Sequence, residues 1–147
     1  MNDGILDTTV VALTNTDLRA RAHASSLNRR VTLLERCLNG SLRVRYNKIL
    51  FDEYEEHIKE YRNDLIEIFF ALLDSNKSVY VKRSTLSRQN YNRAYKCRWP
   101  SHDQHLIAAA LNGVRPSIYV TEETLCQCHS IDLCIANVMR YSSSSAP

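Results

Sequence analysis

The chain predicts an α/β fold, a three-layer α/β/α sandwich around a central, mainly parallel sheet. Two observations carry that expectation. Short β-branched apolar runs alternate with longer stretches of helical periodicity from one end to the other. Acidic residues recur where a predicted strand ends or a predicted helix begins, about one to each strand–helix unit. Strands that alternate with helices pair in parallel and need cover on both faces, and the carboxyl ends of such strands share one rim. At 147 residues the chain is one domain, long enough for a core without disulfides.

Residues 4–12 (GILDTTVVA) read as a buried strand interrupted once, by Asp7. Residues 18–38 read as helix, with a break near Ser25 and Ser26, and Asn39-Gly40 is a helix-stop pair. Leu42, Val44 and Tyr46 alternate with Arg43, Arg45 and Asn47, which is strand periodicity. Asn47 then suits an N-cap, and Leu50, Tyr54, Ile58, Tyr61, Leu65, Phe69 and Leu72 recur at helical spacing, as one helix or two, to about Asp74. Residues 78–82 suit a short strand, while residues 83–99 are polar, basic and weakly periodic. Ser101 and Gln104 form a capping-box pattern for a helix over 102–111, with Gly113 just past its end. A strand over 117–121, a short helix over 122–128 and a final strand or mixed segment over 131–138 complete the domain, residues 1–141. The serine-rich tail, residues 142–147, is expected to be disordered.

Four acids stand out: Asp7, Glu53, Asp103 and Glu123. Each alone has an ordinary reading, as a turn cap or as an acid favoured near a helix N-terminus. Glu53 falls at the border of its helix's apolar stripe, and Asp103 aligns with Leu106, Ile107 and Ala110, so both are expected to face inward. Together, carboxylates on one rim repel each other unless a cation lies between them. A hard divalent ion is the economical occupant, and phosphodiester chemistry is its usual task.

The same residues carry a family resemblance. Ile5-Leu6-Asp7-Thr8-Thr9-Val10, residues 40–58 (GSLRVRYNKILFDEYEEHI), residues 103–111 (DQHLIAAAL) and Tyr119-Val120-Thr121-Glu122-Glu123 together resemble the PIN-domain nucleases, which include toxins of bacterial toxin–antitoxin modules. The departures are Thr9 in place of the family's Asn, Glu122 in place of Gly and Glu123 in place of Asp, which makes Glu122 a rival for the fourth acid. The resemblance implies a PIN-like fold and an Mg²⁺- or Mn²⁺-dependent endoribonuclease. Asp7, Asp103 and Glu123 would hold metal, Glu53 would complete the catalytic set, and Thr9 and Thr121 would steady the carboxylates. An antitoxin protein and a second copy of the chain are the partners it suggests.

Residues 77–102 contain no acid, and Lys82, Arg83, Arg88 and Lys96 lie among Tyr80, Tyr91, Tyr95 and Trp99. Basic side chains neutralise phosphates and aromatics stack on single-stranded bases, so these four are expected to contact RNA. The competing uses are charge balance against the acidic helix before it and docking of an acidic antitoxin segment. Cys126, Cys128 and His129 invite a zinc site, with Cys97, His102 or His105 to complete it, but a Cys-x-Cys pair lacks the paired spacing of structural zinc modules. No Gly-x-Gly-x-x-Gly or Walker pattern is present. Five cysteines, an acidic start and no apolar run of spanning length point to a cytoplasmic protein without membrane association. The reading is a metal-dependent ribonuclease of toxin or defence type; the alternative is a catalytically weak PIN-like module that regulates by binding RNA or protein.

Overall fold

The computed structural model describes residues 1–20, 24–121 and 137–140. Its centre is a five-stranded, all-parallel sheet, order β3-β2-β1-β4-β5, built from β1 (Asn2–Leu6), β2 (Leu42–Tyr46), β3 (Val79–Tyr80), β4 (Ser117–Val120) and β5 (Asn137–Arg140). The helices are α1 (Thr8–Ala20), α2 (Ala24–Leu38), α3 (Lys48–His57), α4 (Asp64–Leu73), α5 (Arg88–Lys96) and α6 (Gln104–Ala110), the last preceded by a 3₁₀ turn, Ser101–Asp103. The α/β class expected from the sequence is therefore the one observed. Consecutive residues Gly4, Ile5 and Leu6 are all buried. Neighbouring strand side chains point to opposite faces, so β1 is covered on both. Helix α6 packs on β1, β2 and β4, while α2 packs on β2 and α1 on β4.

Several boundaries differ from the sequence reading. The first strand ends at Leu6, and Thr8 already begins a helix. Val10 and Val11 are completely buried inside α1, so their β-branched character reports burial rather than extended backbone. The Asp7 carboxylate ends the strand by accepting the Thr8 N–H at 2.8 Å, while its carbonyl takes the Val10 N–H. The long periodic segment is two helices, α3 and α4. Asn63 caps the second by accepting the Ile66 N–H at 3.0 Å, and Asn15 clamps the connection through Glu60 O and the Arg62 N–H. The basic stretch contains α5, capped by Ser87.

The capping box expected at Ser101 does not form. Pro100 precedes the 3₁₀ turn, no side chain caps it, and Gln104 Oε1 accepts the Leu86 N–H at 3.1 Å instead. The short helix expected over 122–128, the tail at 142–147 and most of the final segment over 131–138 lie outside the described residues. Among the described residues, no helix is long and apolar enough to cross a membrane.

The strand order locates a ligand site by topology alone. From β1 the chain winds outward to β2 and β3, then returns to β4 on the other side of β1. In such doubly wound sheets, connections leaving neighbouring strands in opposite directions open a crevice at the strands' carboxyl ends. Here that crevice lies after Leu6 of β1 and Val120 of β4.

Candidate active site

Asp7 and Thr121 are the first residues past the carboxyl ends of β1 and β4, one on each side of the crevice. The Asp7 N–H donates to Tyr119 O at 2.9 Å, tying the two strand ends together. A chain of hydroxyls then fixes the carboxylate: Thr121 Oγ1 donates to Thr9 Oγ1 at 2.6 Å, and Thr9 Oγ1 donates to Asp7 Oδ2 at 3.2 Å. Asp7 is 6% exposed. The Thr9 and Thr121 hydroxyls thus fix the position of that carboxylate. A hydroxyl at position 9 suffices, because it can accept from Thr121 while donating to Asp7.

Glu53 and Asp103 come to the same rim on other elements. Helix α3 starts directly after β2, and α6 runs antiparallel to the strands, so its N-terminal end sits at their carboxyl ends. Tyr54, completely buried, connects β1 to α3: its hydroxyl donates to Leu6 O, the last carbonyl of β1. Burial pushes the Tyr54 hydroxyl pKa well above its ordinary value, and the nearby Asp7 and Glu53 carboxylates push it further. Asp103 is 9% exposed and precedes α6 directly. Its backbone carbonyl accepts the Trp99 indole N–H at 2.9 Å, and its Oδ2 lies 3.3 Å from His102 Nε2.

Three contributors could not be assigned from sequence. His105, 2% exposed, brings Nε2 to 2.6 Å from Glu53 Oε1, a close approach without hydrogen-bond alignment. Asn47, read only as a helix cap, does cap α3 through the Leu50 N–H at 3.1 Å. Its amide also donates to His105 O at 2.9 Å and Arg83 O at 3.2 Å. One buried side chain thus ties α3, α6 and the loop after β3 together. Tyr54, read as a stripe residue, is the third. All three act through partners distant in the chain, which local spacing does not encode.

The basic segment leaves β3 at the same end of the sheet. Lys82, Arg83, Arg88 and Lys96 are all exposed. Tyr91, Tyr95, Lys96, Arg98 and Trp99 line a cleft of about 560 Å³ that continues to Ser101, two positions before Asp103. Tyr95 is open to solvent. Trp99 is not: it is 4% exposed and serves the Asp103 backbone, which removes it from the set of base-stacking candidates.

The donor chemistry of Asp7, Glu53 and Asp103 suits a hard divalent ion, since all three offer carboxylate oxygens. Among the described residues, no group of three or more His, Cys, Asp and Glu side chains closes to a metal-holding arrangement. Mg²⁺ is commonly held by only one or two carboxylates and keeps several waters, so its binding does not require such a group. Glu122, Glu123, Cys126, Cys128 and His129 lie outside the described residues. No family model, no curated protein and no solved structure matches this chain.

Proposed function

We propose that the rim around Asp7 is the active site of a divalent-metal-dependent ribonuclease. The observation that carries this reading is the placement of Asp7 and Thr121 across the topological switch point, with Glu53 and Asp103 brought to the same rim. Asp7 and Asp103 are the residues to hold Mg²⁺ or Mn²⁺, with Glu123 as the further ligand that the family resemblance suggests. When bound, such an ion acidifies a water and offsets phosphate charge during an in-line displacement.

The remaining tasks fall to the chain's own side chains. Thr9 and Thr121 hold Asp7 in one rotamer, which spares reorganisation during reaction. Glu53, 30% exposed on its side chain, is the residue to orient the attacking water. Lys82, Arg83, Arg88 and Lys96 supply positive charge for the RNA backbone, and Tyr95 offers a stacking face.

The test is cleavage of a labelled single-stranded RNA with Mn²⁺, with excess EDTA, and by Asp7→Asn and Asp103→Asn. The reading expects cleavage by wild type with metal and a loss of at least a hundredfold in the other three cases. Asn keeps the oxygen that accepts the Thr8 N–H, so Asp7→Asn separates lost chemistry from lost fold. Cleavage that persists in both variants would discard the site.

A second reading, an RNA- or protein-binding module without strong catalysis, is favoured by one contact. Glu53 is held against His105, and a carboxylate so engaged is less available to a water. RNA binding without metal-dependent cleavage would support it. A toxin-type setting, with an antitoxin as partner, rests on the family resemblance.

A further inference from the structure

A second cleft lies away from the acidic rim, along the sheet edge formed by β3. It has a volume of about 790 Å³, with Tyr46, Phe51, Tyr61, Phe70 and Tyr80 among its walls. The rings form one connected series: Tyr80 stands 5.5 Å from Tyr46, Tyr46 stands 6.1 Å from Phe51, Phe51 stands 6.4 Å from Phe70, and Phe70 stands 5.2 Å from Tyr61. The two end members remain open, Tyr61 at 47% and Tyr80 at 52% exposure.

The charge around these rings opposes that of the chain. Net charge is +3, yet Asp52, Glu55, Glu67 and Asp74 line the cleft with Lys48 as the only base among its walls. Lys48 is committed to Asp52 at 3.1 Å. Asp74 is the C-cap of α4, where the helix dipole is already negative and an acid is disfavoured. Leu73 and Asp74 bring that negative helix end into the cleft wall. The arrangement concentrates negative potential over aromatic surface, and at Asp74 it does so against the preference of the local helix.

We propose that this cleft docks a basic polypeptide segment of a partner protein, one that presents arginine or lysine side chains beside apolar ones. Cations are attracted both by carboxylates and by aromatic rings, and Tyr and Arg are enriched where protein interfaces carry most of their energy. Acids on α3 and at both ends of the cleft's α4 wall suit cations spaced along a chain rather than a single ion. A nucleic acid is excluded as occupant by the repulsion of its phosphates. The inference is independent of the ribonuclease reading.

Two labelled ten-residue peptides test it by fluorescence anisotropy against the full chain, one alternating Arg with Leu and the other Glu with Leu. The Arg peptide should bind at least tenfold more tightly. Glu67→Lys and Tyr80→Ser, both exposed positions, should each weaken it at least fivefold while leaving the melting temperature within about two degrees. Spermidine at matched charge should fail to displace it. Equal binding of the two peptides, indifference to both variants, or displacement by spermidine would overturn the proposal. So would a dimer in sedimentation that Glu67→Lys dissociates, because the occupant would then be a second copy of the chain.

Discussion

Asp3 shows how much a single side chain can hold at the rim opposite the acids. It is completely buried, accepts Arg43 Nε at 2.8 Å and the Val114 N–H at 2.8 Å, and lies 3.5 Å from Arg45 NH1. Arg45 continues inward to Ala109 O and Leu111 O, both at 2.7 Å. Burial alone would raise the Asp3 pKa, but the Arg43 and Val114 hydrogen bonds and the two arginine charges together hold it below the ordinary value. A carboxylate depressed in the folded state stabilises fully above its unfolded pKa, about 4, and loses that contribution as pH falls through the folded one. Urea unfolding should therefore show stability dropping below about pH 4, and Asp3→Asn should flatten that part of the curve. Asp3→Ala at pH 7 should cost about 3 kcal/mol, since it leaves the buried Arg45 guanidinium without its counter-charge; a cost under 1 kcal/mol would deny the network its role. Sequence reading noted Asp3 only as part of an acidic start. Its side-chain partners lie 40 and 111 positions away, so nothing local marks it. Cys37 is simpler: burial pushes its thiol up to about 12, so it should resist thiol reagents until the protein unfolds.

At the scale of elements, periodicity gave the helices and burial blurred their edges. The stripe from Leu50 to Leu72 was legible because it repeats at helical spacing, and Asn47 was legible because caps are local. The β1–α1 junction was not, because Val10 and Val11 suit a strand and a buried helix equally well. The acids were found by their place at element ends, whereas His105 and Tyr54 meet their partners only after α3, α6 and β1 pack together. Trp99 shows the cost of reading composition alone. Interleaved with cations it resembles a stacking residue, yet its indole anchors the carbonyl of Asp103. Trp99→Phe keeps the ring and removes that donor, so it should lower stability by about 1 kcal/mol. It should also slow cleavage with little change in RNA affinity. Tyr95→Ala should do the reverse, weakening single-strand affinity by about 1–3 kcal/mol with no change in the salt slope. Binding isotherms at several salt concentrations beside single-turnover cleavage distinguish the two. Reversed results would place the stacking surface at Trp99 after all.

The whole molecule turns a strand order into a charge pattern. Because β1 and β4 flank the switch point, Asp7 emerges there with a Tyr119 carbonyl and two threonine hydroxyls already fixing it. The parallel class was legible from alternation, but this strand order was not, since pairing β4 beside β1 is a contact between residues over a hundred positions apart. A folded rim that holds carboxylates in place should bind a divalent ion more tightly than the unfolded chain does. The ion then stabilises by mass action, by about 2.7 kcal/mol at a hundredfold excess over Kd, which is several degrees in Tm for a domain of this size. Ca²⁺ provides the useful control, because it shares the oxygen ligands but tolerates looser geometry. Scanning calorimetry should show Mn²⁺ raising Tm in wild type and having less than a third of that effect in Asp7→Asn and in Asp103→Asn. Without metal, both variants should melt within about two degrees of wild type, since Asn keeps the size of the side chain and, at position 7, an oxygen for the Thr8 N–H. A metal-induced rise that is equal in all three proteins would put the ion elsewhere and detach the acidic rim from metal chemistry.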